Sequence, residues 1–282
     1  MKWDRDHDSP DVIDERGRGG GGDGFGLLGP LISIGSRFGF GGVLVAVGLY
    51  VGAQFLFGGG SSSSRLSGGT PSPASGADDT RAKFAGFVLD DVQATWTRVF
   101  ANQGASYRRA KLVLYTDQTR TACGYGSAAM GPFYCPNDER VFLDLGFFDE
   151  LSRKLGAPGD FAQAYVIAHE IGHHVQHLRG GDRADHGEGA SGGSVRIELQ
   201  ADCYAGIWAR TTEQRNLLEQ GDIEAALGAA IAVGDDRLQR SETGTVNPEK
   251  WTHGSSKERA AWFRRGLDQG TFEACDTSKG PL

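Results

Sequence analysis

The chain has 282 residues, 44 of them glycine, and a formal net charge of −7 with a sequence pI near 5.5. That length holds one medium domain plus accessory segments, and an acidic balance without clustered Lys and Arg excludes a broad nucleic-acid surface. Many of the glycines crowd before residue 80 among few large apolar residues, too little burial to offset chain entropy, so the chain is read in two parts.

Residues 1–37 mix charges with the run Gly19 to Gly22 and show no periodicity, which predicts a disordered tail. From Phe38 to Phe57 no charged residue occurs. At about 1.5 Å per residue that stretch would span roughly 30 Å, so a transmembrane helix is expected over 38–57. A Gly/Ser/Pro-rich flexible linker follows over 58–80. The apolar stretch starts late and runs long, which favours an uncleaved anchor over a signal peptide. Lys2, Arg5, Arg16, Arg18 and Arg37 precede it and the next basic residue is Arg65. The positive-inside rule then predicts a single-pass protein of the cell membrane, with its N-terminus cytoplasmic and the following domain extracytoplasmic.

Residues 81–282 read as one α+β domain, mostly helical, with a small β element. Phe84 to Ala101 carries Phe84, Phe87, Val88, Val92, Trp96, Val99 and Phe100 at helical spacing. Lys111 to Thr116 and Arg140 to Asp144 are rich in strand formers. Helices are predicted at Phe147 to Leu155 and, with Asp160 as N-cap, at Phe161 to Leu178. A Gly-rich loop runs from Gly180 to Gly193, and Ser194 is placed as the cap of a helix from Val195 to Thr211. Ile223 to Val233 and Ser256 to Leu267 complete the set.

Cys123, Cys135, Cys203 and Cys275 all lie beyond residue 81, and no CxxC pair occurs. An even count in an exported domain suggests two disulfides, with three pairings open. The working hypothesis joins Cys123 to Cys135, closing a short Gly-rich loop, and Cys203 to Cys275, tying a helix to the C-terminal tail.

The chemistry concentrates at His169-Glu170-Ile171-Gly172-His173. Histidines four apart share one helical face and can bind one Zn²⁺ ion, while Glu170 reaches a water that the metal activates. The preceding turns are apolar, which places the motif on a half-buried helix, and Gly172 keeps the space beside the metal small. A third ligand is needed. Glu198 and Asp202 are again four apart. Spacing alone allows either; the longer Glu198 is assigned to the metal, and Asp202, among Ala201, Cys203 and Tyr204, to a hydrogen bond with a zinc histidine.

The runs GPFYCPNDERVFLD, GDFAQAYVIAHEIGHHVQ, RIELQADCYAGIWA and THGSSKERAAWFRRG resemble the bacterial neutral zinc metallopeptidase family over about residues 81–282, and the expected N-terminal anchor arrangement is similar too. That resemblance implies a zincin-like domain, zinc at His169 and His173, catalysis by Glu170 and Glu198 as third ligand. The Glu198/Asp202 spacing is also similar to that of the gluzincin group.

Among the other histidines, His174 is one position off the ligand face and reads as packed, His177 as a rim residue, and His186 as solvated in the glycine loop. His253 is the candidate stabiliser of the tetrahedral oxyanion, with Tyr204 a weaker one. The expected function is hydrolysis of peptide or protein substrates by a zinc metallopeptidase with Glu170 as general base. Two alternatives stand beside it: another zinc amide hydrolase of the cell envelope, and a non-catalytic anchored module with structural zinc.

Overall fold

A computed structural model of the chain describes residues 1–17, 76–181, 187–278 and 282. Alternating apolar residues set the sheet. It runs in the order β1 (Val12–Asp14), β2 (Lys111–Tyr115), β6 (Arg140–Asp144), β5 (Phe133–Cys135), with β5 antiparallel to β6 and the other pairs parallel. Side chains alternate across a strand, so Leu112, Leu114, Val141 and Leu143 face the main helical core. Val113, Tyr115 and Phe142 face the other way, where Phe133 stacks on Phe142 at 5.1 Å. The hairpin of β3 (Gln118–Thr121) and β4 (Gly124–Ser127) follows β2, and the Cys123–Cys135 disulfide ties it to β5.

Seven helices are described: α1 (Gly76–Asn102), α2 (Gly146–Arg153), α3 (Asp160–Leu178), α4 (Gly193–Gln214), α5 (Asp222–Ala232), α6 (Asp235–Thr243) and α7 (Ser256–Gln269). Helix α3 is central, packed against α1, α4, α5, β5 and β6, and α7 lies against α4 and α5. Phe161 at the start of α3 stacks on Trp208 of α4 at 5.2 Å. Further along, a Cβ built at Gly172 would stand 3.0 Å from the Ala201 backbone. The glycine of the sequence motif is thus where the α3 and α4 backbones meet. A second disulfide, Cys203–Cys275, binds α4 to the C-terminal turn. Both pairings match the sequence hypothesis.

Several boundaries moved. Asp160 lies inside α3, whose N-cap is Gly159, and Ser194 lies inside α4, capped by Gly192; neither cap makes a side-chain bond. Helix α7 does carry a full capping box, Ser255 with Glu258. Helix α1 begins at Gly76, within the stretch expected as linker.

The larger correction concerns the N-terminus. Residues 1–17, expected as part of a disordered tail, fold with the rest of the domain as one unit. Trp3 packs edge-on against Phe84 at 5.2 Å, Ile13 pairs with Val113, and buried Asp11 accepts from Lys111 Nζ at 2.6 Å. Arg16 Nη1 donates to the Asp78 carbonyl at 3.1 Å, so the end of this segment meets the start of α1. A single crossing between residues 17 and 76 would put those partners on opposite sides of a bilayer. The stretch 38–57 itself lies outside the described residues, as does the linker up to residue 75. No helix among the described residues is long and apolar enough to cross a membrane. The fold is a mostly helical α+β domain, and the preceding transmembrane helix, with the cytoplasmic N-terminus and single-pass anchoring in the cell membrane, is withdrawn.

Candidate metal centre

Helix α3 forms because Phe161, Ala164, Tyr165, Ala168, Ile171 and Val175 recur at helical spacing and are all buried. The same period places His169 and His173 one turn apart, with ring centroids 4.8 Å from each other. Helix α4 crosses at Gly172 and brings up Glu198. Its Oε2 lies 3.1 Å from His169 Nε2 and its Oε1 lies 3.4 Å from His173 Nε2. One donor atom from each of the three residues falls within 4.8 Å of the others, close enough to share one cation. Among the described residues this is the only group of His, Cys, Asp and Glu so arranged.

The opposite ring nitrogens are already engaged. His169 Nδ1 lies 2.8 Å from Asp202 Oδ1, and His173 Nδ1 lies 2.9 Å from Gln176 Oε1. A carboxylate or amide oxygen there fixes the proton on Nδ1 and leaves the Nε2 lone pair for a metal. Two imidazole nitrogens and a carboxylate oxygen suit Zn²⁺, so the residues present fit that ion.

Electrostatics follow from burial and close packing. Burial opposes charge on His169, but Asp202 and Glu198 outweigh it and raise its pKa to about 10. His173 is raised against burial by Glu198. Glu198 is pushed well below the usual carboxylate range against burial by His173 and His169. A metal at this centre would therefore compete with protons for the ring nitrogens. Glu170 behaves differently. It is buried, burial raises its pKa, and its carboxylate accepts no hydrogen bond among the described residues.

Sequence reasoning gave Asp202 its place behind His169 but no role to Arg259 or Tyr165, which hold that carboxylate in turn. Arg259 of α7 donates through Nε to Asp202 Oδ2 at 2.8 Å and through Nη2 to Asp202 Oδ1 at 2.9 Å. Tyr165 donates its hydroxyl hydrogen to Asp202 Oδ1. A charged residue one turn before Trp262 and Phe263, on the apolar face of α7, was the available signal for Arg259. No local pattern marks Tyr165.

A cleft of about 790 Å³ opens over the centre. Its lining includes His169, Glu170, His173, Glu198 and Arg259, Phe133 and Tyr134 of β5, and apolar Phe147, Leu155, Val166 and Leu238. His253 also lines it. Asp235, which went unnoticed in the sequence, accepts the backbone N–H groups of Thr252, His253 and Gly254 at 2.8, 2.6 and 3.0 Å. Its other oxygen lies 3.2 Å from His253 Nδ1. Tyr204, the weaker oxyanion candidate, is not brought to the cleft: its ring packs between Trp96 and Phe272 at 5.3 and 5.4 Å. His174 is packed, 2.9 Å from the Tyr134 hydroxyl and 2.7 Å from the Arg108 carbonyl. His177 sits at the cleft rim, 3.4 Å from Glu139. His186 lies outside the described residues.

A protein-family model described as "Putative neutral zinc metallopeptidase" matches residues 1–278. The chain is 43% identical to the uncharacterized protein YpfJ of Escherichia coli (strain K12), over 98% of each chain. It is 45% identical to uncharacterized proteins of Mycobacterium tuberculosis and Mycobacterium bovis, over 67% of each chain. No solved structure matches it.

Proposed function

The chain belongs to the neutral zinc metallopeptidase family, and from that premise we propose that it hydrolyses peptide bonds, with His169, His173 and Glu198 as zinc ligands and Glu170 as general base. One observation carries this: both Nε2 atoms converge on the Glu198 carboxylate while both Nδ1 atoms are held from behind, and the group faces an open cleft. A structural zinc would call for a closed set of four protein ligands. A zinc ion held there supplies Lewis acidity, lowering the pKa of water and polarising a carbonyl.

Glu170 adjoins the first ligand and keeps its carboxylate free of hydrogen bonds among the described residues, so it can take the proton of the attacking water and return it to the leaving amine. Its raised pKa brings it nearer the range in which a carboxylate both accepts and gives up a proton. Asp202 keeps His169 in the Nδ1–H tautomer. His253, tethered by Asp235, would donate to the developing oxyanion. A peptide substrate is favoured by β5, an edge strand of the sheet, two of whose residues line the cleft, because an edge can add an extended chain by backbone hydrogen bonds.

The test is incubation of the purified chain with a mixed peptide library and with a panel of non-peptide amides, with chelator and after zinc is restored. Chelator-sensitive, zinc-restored cleavage at internal peptide bonds supports peptidase activity. Cleavage confined to non-peptide amides would replace it with a different amide hydrolase.

A further inference from the structure

We propose that Arg259 is a positioning residue of the metal centre, acting through Asp202 to hold His169 Nε2 on the metal; this rests on the zinc reading above. The guanidinium side chain is 4% exposed and the Asp202 side chain 0% exposed, so neither charge has solvent to balance it. They form a forked pair, Nε to Oδ2 at 2.8 Å and Nη2 to Oδ1 at 2.9 Å. Such two-bond pairing fixes the plane of the carboxylate as well as its place.

That plane decides what Oδ1 can do. The same oxygen faces His169 Nδ1 at 2.8 Å and receives the Tyr165 hydroxyl. With Oδ2 committed to Arg259, the carboxylate cannot rotate away from the imidazole without breaking the fork. The guanidinium is anchored in turn: Nη1 reaches the Val233 carbonyl at 3.3 Å, at the end of α5. Arg259 therefore links α5 and α7 to the α4 carboxylate that steers a ring on α3.

The charge inventory points the same way. Three carboxylates, Glu170, Glu198 and Asp202, crowd this site, and among the described residues Arg259 is the one Lys or Arg that lines the cleft. One guanidinium and one divalent ion balance three carboxylates. Without Arg259, Asp202 would be a buried anion with no cation of its own, an arrangement that proteins rarely tolerate. Its guanidinium also stands 3.8 Å from Glu198 Oε2, beyond hydrogen-bond distance, so Glu198 stays directed at the imidazoles. A lysine would restore the charge but not the fork.

A purely architectural role, pinning α7 to α4, predicts a loss of stability alone. The experiment measures zinc affinity of the full chain by competition with a chromophoric chelator, together with the melting temperature of the metal-free protein. The variants are Arg259→Met, Arg259→Lys, Asp202→Asn and the Arg259→Met/Asp202→Asn double. The expected result is a fall in zinc affinity of about 10–100-fold in Arg259→Met and a smaller fall in Arg259→Lys. The double variant should bind no more weakly than the weaker single, because both act through one carboxylate. Parental affinity in Arg259→Met, or losses that multiply in the double variant, overturns the proposal. If Arg259→Met does not fold, Arg259→Lys decides: parental affinity in it overturns the proposal. A parent chain that binds no zinc overturns the zinc reading itself and this proposal with it, a result distinct from a zinc-binding parent with unaffected variants.

Discussion

Asp202 Oδ1 lies 2.8 Å from His169 Nδ1. The carboxylate one turn before it on α4, Glu198, meets the other nitrogen of the same ring at 3.1 Å. One helix thus addresses both sides of one imidazole, and the separate tasks proposed for the two acids are ones that their sequence spacing could not assign.

The first prediction separates those tasks. Glu198→Ala should lose zinc outright at moderate zinc concentration. Asp202→Asn should keep a metal site with affinity or activity reduced by about 10–100-fold. Zinc stoichiometry of both purified variants decides. Full occupancy in Glu198→Ala beside an empty Asp202→Asn would reverse the assignment.

The second concerns pH. The hydrogen bond that His253 Nδ1 donates to Asp235 raises the His253 pKa above 6.5, with burial opposing. A protonated donor is present below that raised value and lost as pH climbs through it. The stability contributed by the pair has the same sign: fully present below 6.5, lost through the folded pKa. Asp235→Asn should therefore move the alkaline limb of kcat/KM to lower pH. His253→Gln should cut kcat by about 10²–10³-fold. An alkaline limb that does not move in Asp235→Asn removes His253 from the chemistry.

The third is structural. A Cβ at Gly206 in α4 would overlap the Phe263 carbonyl of α7. Gly206→Ala should destabilise the chain by roughly 1–3 kcal/mol through overpacking. Because α4 carries Glu198 and α7 carries Arg259, zinc affinity should fall with it. Denaturant unfolding and chelator competition on one preparation check both, and a parental midpoint would mean that the helices can part without penalty.

The fourth concerns the disulfides. Chain entropy gives roughly 3 kcal/mol for the Cys123–Cys135 bridge, with its separation of 12, and roughly 4.4 kcal/mol for Cys203–Cys275, with its separation of 72. Paired Cys→Ser variants should lose stability in that order. Non-reducing peptide mapping should recover both bridges, and four alkylatable thiols would contradict them.

Much of this was legible in the sequence because it is carried by period. The helical spacing of α3 and α4 announces two faces, and His169/His173 and Glu198/Asp202 each sit at one repeat on those faces. Strands β2 and β6 are apolar enough to read alone. What escaped depends on partners distant in sequence. β1 has three residues and a role only when paired with β2, nearly a hundred positions on. β5 is equally short and defined by β6 and its disulfide. Helix α6 is almost wholly polar, with no apolar period to detect. Arg259 and Asp235 contact residues that only the fold brings near. The tail misled because its composition is polar, while its few anchors, Trp3, Asp11 and Ile13, find their partners in the folded domain.

Glu170→Gln isolates the proton transfer on which the proposed hydrolysis rests. The substitution keeps the size of the side chain and removes its basicity, and none of the candidate ligands is touched. Zinc content and peptide cleavage should be measured on the same purified samples of parent and variant. The expected result is equal zinc, with cleavage reduced by about 10²–10⁴-fold, the usual contribution of a general base. Equal zinc with equal cleavage would contradict the mechanism and remove Glu170 from it.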